Sequence, residues 1–141
     1  MFQKQTKKGP LKSKEKKRTP LNSSENWETI HVDHRVFSRN KLDRMHWADK
    51  GRLKGQYGIL IRNQMRLNKI KETKSKCRII INCYVTRLMD LDNVISGLKQ
   101  FIDALCTENF IWDDAPAWLE IKQIKQFKSK EAKIVVSRLV I

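Results

Sequence analysis

Asp90 and Asp92 stand two residues apart, Asn93 follows them, and Asp113-Asp114 come some twenty residues later with Lys99 and Asp103 between. Carboxylates at this spacing suit a divalent-cation site. On an extended segment Asp90 and Asp92 leave the same face, and a strand–helix–loop unit that folds back is expected to bring Asp113 and Asp114 beside them. Crowded carboxylates repel one another, and a hard cation relieves that repulsion. All-oxygen ligands favour Mg²⁺ or Mn²⁺ over zinc. Such a site fits phosphodiester hydrolysis, in which bound metal activates water and offsets developing charge. Lys99 would stabilise charge on the phosphate. Asn93 would cap the helix that opens there. Each feature also has an ordinary explanation: a strand-end turn, an exposed Lys99–Asp103 pair, turn chemistry ahead of Ala115-Pro116.

The elements that must position these residues follow from periodicity. Cys77–Arg87 alternates as a strand, with Ile79, Ile81, Cys83 and Val85 on one face and Ile80 and Tyr84 on the other; apolar residues on both faces predict a central strand. Val94–Cys106 reads as one helix with a buried stripe of Val94, Leu98, Phe101, Ile102 and Leu105. Trp27–Val32 reads as a short strand, Val36–Trp47 as a loop, and Ala48–Asn68 as a helix. That helix carries Leu53, Tyr57, Leu60, Ile61 and Leu67 at helical spacing. Trp118–Phe127 and Lys133–Ile141 read as strands joined in a hairpin by the charged segment 128–132. The fold class is α/β (α+β): a small mixed sheet with two main helices.

The chain carries 30 basic and 15 acidic residues, a net +15 over 141 residues, so a polyanionic partner is expected. Residues 1–25 form a distinct basic segment. Met1–Pro20 alone has eight Lys and Arg against Glu15, with few apolar residues. It is expected to be disordered when free and suited to gripping DNA phosphates, ahead of a domain spanning 26–141. No apolar run approaches the roughly 20 residues of a bilayer span, and no signal peptide is legible. Cys77, Cys83 and Cys106 are odd in number with no C-x-x-C pair. Cys77 and Cys83 read as buried apolar side chains, and the set suits a reducing cytoplasm rather than a zinc site or a disulfide framework. Arg39, Lys41, Arg44, Lys50, Arg52 and Lys54, with His46, form a basic run expected to track phosphates. Trp47, Trp112 and Trp118 read as core or interface residues.

The segments Asp90-Leu91-Asp92-Asn93, Lys99 through Asp103 to Leu105, and Trp112-Asp113-Asp114 together resemble the signature of RusA-type endodeoxyribonucleases. Ser38-Arg39-Asn40 and His46 resemble the segment that precedes the first helix in that family. The resemblance implies a homodimeric nuclease, commonly phage or prophage encoded, that makes paired Mg²⁺-dependent cuts in four-way (Holliday) DNA junctions, with Mn²⁺ able to substitute. By that resemblance Asp90, Asp92 and Asp114 hold the metal, Asp113 supports them, and Lys99 is the catalytic lysine. There are two other readings: a metal nuclease for other branched, flap or single-stranded DNA, and a non-catalytic basic DNA-binding or packaging protein, for which the charge alone suffices.

Overall fold

The computed structural model describes residues 26–141, so the basic segment 1–25 lies outside the described residues. The elements are β1 (Glu28–Val32), α1 (Arg39–Arg44), α2 (Trp47–Leu67), β2 (Cys77–Val85), α3 (Leu91–Gly97), α4 (Lys99–Thr107), β3 (Leu119–Lys128) and β4 (Lys133–Val140). The four strands form one mixed sheet in the order β1-β4-β2-β3. β2 is central. It runs antiparallel to β4 and parallel to β3. Its β-branched and aromatic side chains suit a pleated, half-buried surface. Cys77, Ile79, Ile81, Cys83 and Val85 are buried, and the residues between them are only partly so. Ile30, Val32, Ile134 and Val136 extend that buried face across the neighbouring strands.

Helices α2 and α4 close the core above this face. Leu53, Tyr57, Ile61 and Met65 are buried along α2, and the Tyr57 ring meets Phe101 of α4 edge-on at 5.3 Å. The Tyr57 hydroxyl donates to the Arg35 carbonyl at 2.8 Å, which ties the β1–α1 connection to the core. Burial raises the Tyr57 phenol well above its ordinary range. The thiols of Cys77 and Cys83 are buried, as expected, and burial pushes Cys83 up to about 12.

The structure corrects the sequence reading in four places. First, β3 and β4 are not a hairpin: β2 lies between them, and each pairs with it instead. The linking segment needs to span only two strand spacings, about 9.5 Å, within reach of four extended residues at about 13 Å. Second, 36–47 is not all loop. Ser38 accepts a hydrogen bond from the Lys41 N–H and caps a short α1. Third, the helix expected over 94–106 is two helices. It begins at Leu91 and breaks at Leu98, whose N–H turns back to the Ile95 carbonyl at 3.3 Å. Gly97, a poor helix former, precedes the break. Fourth, of the core-or-interface reading for three tryptophans, the core half does not hold. Trp47 is 78% exposed, and Trp112 and Trp118 meet edge-on at 6.3 Å while keeping 39% and 37% exposure. Leu67 is likewise exposed, and Met65 takes its place in the core.

Candidate active site and nucleic-acid interface

After Val85 the chain leaves the centre of the sheet through Thr86–Met89. Gln126 of β3 fixes this exit. Its Oε1 accepts from the Met89 N–H at 3.1 Å, and its Nε2 donates to the Met89 carbonyl. Asp90 follows directly and caps α3 through its backbone, its carbonyl accepting from the Asn93 and Val94 N–H groups at 2.9 and 3.1 Å. Its carboxylate makes no capping bond. Asp92 lies in the first turn of α3, not on an extended segment, so the two-residue alternation expected for the pair does not hold. Both carboxylates are solvent-exposed at the start of α3. Asn93 does not occupy the cap position; Asp90 does.

The other acidic residues group elsewhere. Asp113 accepts from the Asp114 N–H at 2.8 Å in a tight local turn. Burial pushes the Cys106 thiol up to about 11, and the negative charges of Asp114, Asp113 and Asp103 add to the rise. The parallel crossover accounts for the separation. Leu119 begins β3 beside Cys77, at the opposite end of β2 from Val85, so the chain must return to that end before β3 can pair. Among the described residues, no three His, Cys, Asp or Glu side chains are gathered closely enough to hold a metal ion. The expected closure of Asp114 onto Asp90 and Asp92 is therefore not seen there. Lys99 opens α4, 3.9 Å from Asp103, with the two side chains 72% and 41% exposed. An exposed pair of this length contributes little and leaves the ammonium available. Lys99 also lines a recess of about 350 Å³ shared with Arg39, Asp43, Lys50, Ser96 and Gln100.

The basic run expected to face DNA is divided by its own acids. Arg39 pairs with Asp43 at 3.7 Å, and Arg52 with Asp49. Arg44 lines a shallow recess with Ser38 and Met45. The His46 Nδ1 accepts from the Ala48 N–H at 3.1 Å and so caps α2. Lys54 is half-buried on α2. Lys41 is different, because it lines a cleft of about 640 Å³ between the β1–α1 connection and the exit of β2. Arg35 and Arg87 line the same cleft, with Ser38, Asn40 and Asn93. Sequence reasoning missed these two arginines because each stands alone in a loop, 52 positions apart, and only the fold makes them neighbours.

Gly97 fixes one wall of this cleft. A Cβ at that position would lie 1.9 Å from the Phe37 carbonyl oxygen. The obstacle is backbone and cannot swing aside. Gly97→Ala is expected to cost about 1–3 kcal/mol through overpacking as Phe37 and Ser38 are pushed aside. Urea denaturation beside wild type checks it.

No protein-family model and no curated protein sequence matches this chain.

Proposed function

We propose that this chain is a divalent-metal-dependent endodeoxyribonuclease of RusA type, which nicks four-way DNA junctions as a homodimer. One observation carries the reading. An exposed aspartate pair, Asp90 and Asp92, is held at the exit of the central strand beside a cleft lined by three cations and no carboxylate. The donors fit a hard cation. Mg²⁺ commonly takes only one or two protein carboxylates and fills its other positions with water and phosphate oxygens, and no thiol or imidazole stands among these donors. A cation held there would supply an activated water and neutralise phosphate charge.

The protein's own groups do the rest. Gln126 holds the Asp90 segment in place. Lys41, Arg35 and Arg87 attract the phosphate backbone. Lys99, only loosely engaged by Asp103, supplies positive charge to the phosphate as negative charge develops. Asp113 and Asp114 lie on the loop ahead of β3, and Asp114 is the third carboxylate that the resemblance assigns. A two-fold dimer would present two such sites to a substrate that is itself nearly two-fold symmetric. The basic residues 1–25 would add non-specific grip. Among the described residues no helix is long and apolar enough to cross a membrane. The setting we propose is the interior of a bacterial or phage-infected cell.

The test is cleavage of a mobile synthetic four-way junction beside a linear duplex of the same sequence, in Mg²⁺ and in EDTA. Paired nicks in the junction alone, present in Mg²⁺ and abolished by EDTA, are expected. Cutting of flaps in preference to junctions would reassign the substrate. Tight binding with no cutting in Mg²⁺ or Mn²⁺ would leave a non-catalytic DNA-binding protein, a reading favoured by the separation of Asp114 from the Asp90–Asp92 pair.

A further inference from the structure

The cleft at the exit of β2 has properties that the aspartate pair does not explain. Its cations come from three separate segments: Arg35 after β1, Lys41 in α1 and Arg87 after β2. Arg35 and Lys41 both lie against the Phe37 ring, at 5.0 and 5.1 Å from its centre. Cation–π contact of this kind is worth about 0.5–1 kcal/mol at an exposed site, so it helps order both side chains before any ligand arrives. Within the described residues none of the three cations forms an ion pair, whereas Arg39 and Arg52 nearby are matched by acids. Like charges brought together without a counter-charge repel, and an anion between them relieves the repulsion. Ser38, Asn40, Thr86 and Asn93 add neutral hydrogen-bonding groups to the lining.

The position of the cleft narrows the anion. Met89 and Asn93 both line it, and they bracket Asp90 and Asp92 in the chain. An anion seated there therefore abuts the aspartate pair. A simple dicarboxylate would also suit the cations, but it gives no reason for a carboxylate pair at the rim. A continuous polyanion does, because one of its charged units can sit in the cleft while its neighbour reaches the aspartates.

We infer that the Arg35–Lys41–Arg87 cleft is a phosphodiester subsite, which seats the DNA backbone next to the phosphate presented to Asp90 and Asp92. This rests on the reading of the surface as DNA-facing, but not on the chain cutting DNA.

The test is binding of a labelled four-way junction in EDTA, where no cutting occurs, measured by anisotropy across a series of salt concentrations with the full chain. The Arg35→Ala/Arg87→Ala double variant is expected to bind at least tenfold more weakly near 0.1 M salt. Its slope of log K against log salt should fall by roughly 1.8, about 0.9 for each phosphate that is no longer neutralised. The control is Arg66→Ala/Lys71→Ala, which removes two exposed cations at and just beyond the other end of α2 and should leave the slope unchanged. Equal thermal midpoints for the variants would show that each has folded. Unchanged affinity and slope in the Arg35/Arg87 variant would overturn the subsite. An equal loss in the control would overturn it too, since overall charge alone would then be at work. If the wild-type chain fails to cut a junction in Mg²⁺ yet the slope falls as expected, the nuclease reading is lost and the subsite stands.

Discussion

Replacing Asp90 by Asn is expected to lower junction cutting in Mg²⁺ by at least about 100-fold while leaving junction binding in EDTA intact or tighter. The two effects have one cause. Asn keeps the size and the backbone cap but removes the charge that would hold a hard cation. Even loss of a group that merely orients a metal ligand costs about 10–100-fold, and loss of the ligand's own charge should cost no less. The same change removes a negative charge from a surface that faces phosphates under the proposed function, so binding should not suffer. Because the Asp90 carboxylate makes no capping bond, little stability should be lost, which separates this variant from a folding defect. Asp114→Asn makes the experiment sharper. If Asp90 and Asp92 alone hold the cation, Asp114→Asn should cut within about tenfold of wild type. If the loop carrying Asp114 closes onto the pair when DNA binds, the two variants should be equally inactive. An Asp90→Asn protein that still cuts at the wild-type rate in Mg²⁺ would remove the aspartate pair from the chemistry.

The central strand was legible because Cys77–Val85 alternates strictly and carries apolar residues on both faces, a pattern that demands neighbours on either side. What alternation does not encode is which neighbours. A four-residue link between β3 and β4 is compatible with a hairpin or with straddling β2, and only the pairing needs of β2 decide between them. The helical stripe from Val94 to Leu105 was also legible, since all five predicted positions are buried. The break at Leu98 was not, because the stripe continues through it, and the signal at Gly97 concerns a distant backbone atom of Phe37. The aspartate motif was readable as a set of residue types, but its assumed convergence was a statement about topology. A parallel crossover places the loop before β3 at the far end of β2, and local spacing carries no trace of that. Arg35 and Arg87 were invisible for a related reason: charge runs are visible along a sequence, whereas a cleft collects single charges from several loops.

The largest expected effect on stability belongs to Arg138, which the sequence does not distinguish from the other basic residues of the chain. It sits on the inward face of β4 with 2% of its surface exposed. Its guanidinium lies over the Phe110 ring, 4.8 Å from the centre. Nε donates to Glu28 of β1 at 2.9 Å, Nη1 to the Phe110 carbonyl at 2.6 Å, and Nη2 to the Lys71 carbonyl. One planar fork thus joins the first strand, the loop after α4 and the connection between α2 and β2. Arg138→Met keeps the length and apolar stem but strands two carbonyls and a carboxylate. Unmet buried acceptors cost about 1–3 kcal/mol each, whereas the Glu28 carboxylate, 36% exposed, is partly rehydrated once its partner is gone and adds less. A loss of about 3–5 kcal/mol is therefore expected by urea denaturation, a large share of the roughly 5–15 kcal/mol that holds a typical domain together. Glu28→Gln in the same background separates the contributions. If the stranded carboxylate dominates, the double variant should recover part of the loss, and if the two carbonyls dominate it should recover none. Arg138→Lys retains the charge without the fork and should fall between wild type and Met. Should Arg138→Met lie within about 1 kcal/mol of wild type, these hydrogen bonds would be no better in the native protein than those water supplies to the unfolded chain, and the connection between α2 and β2 would be held by its other contacts, among them the Thr73 N–H to the Asn109 carbonyl.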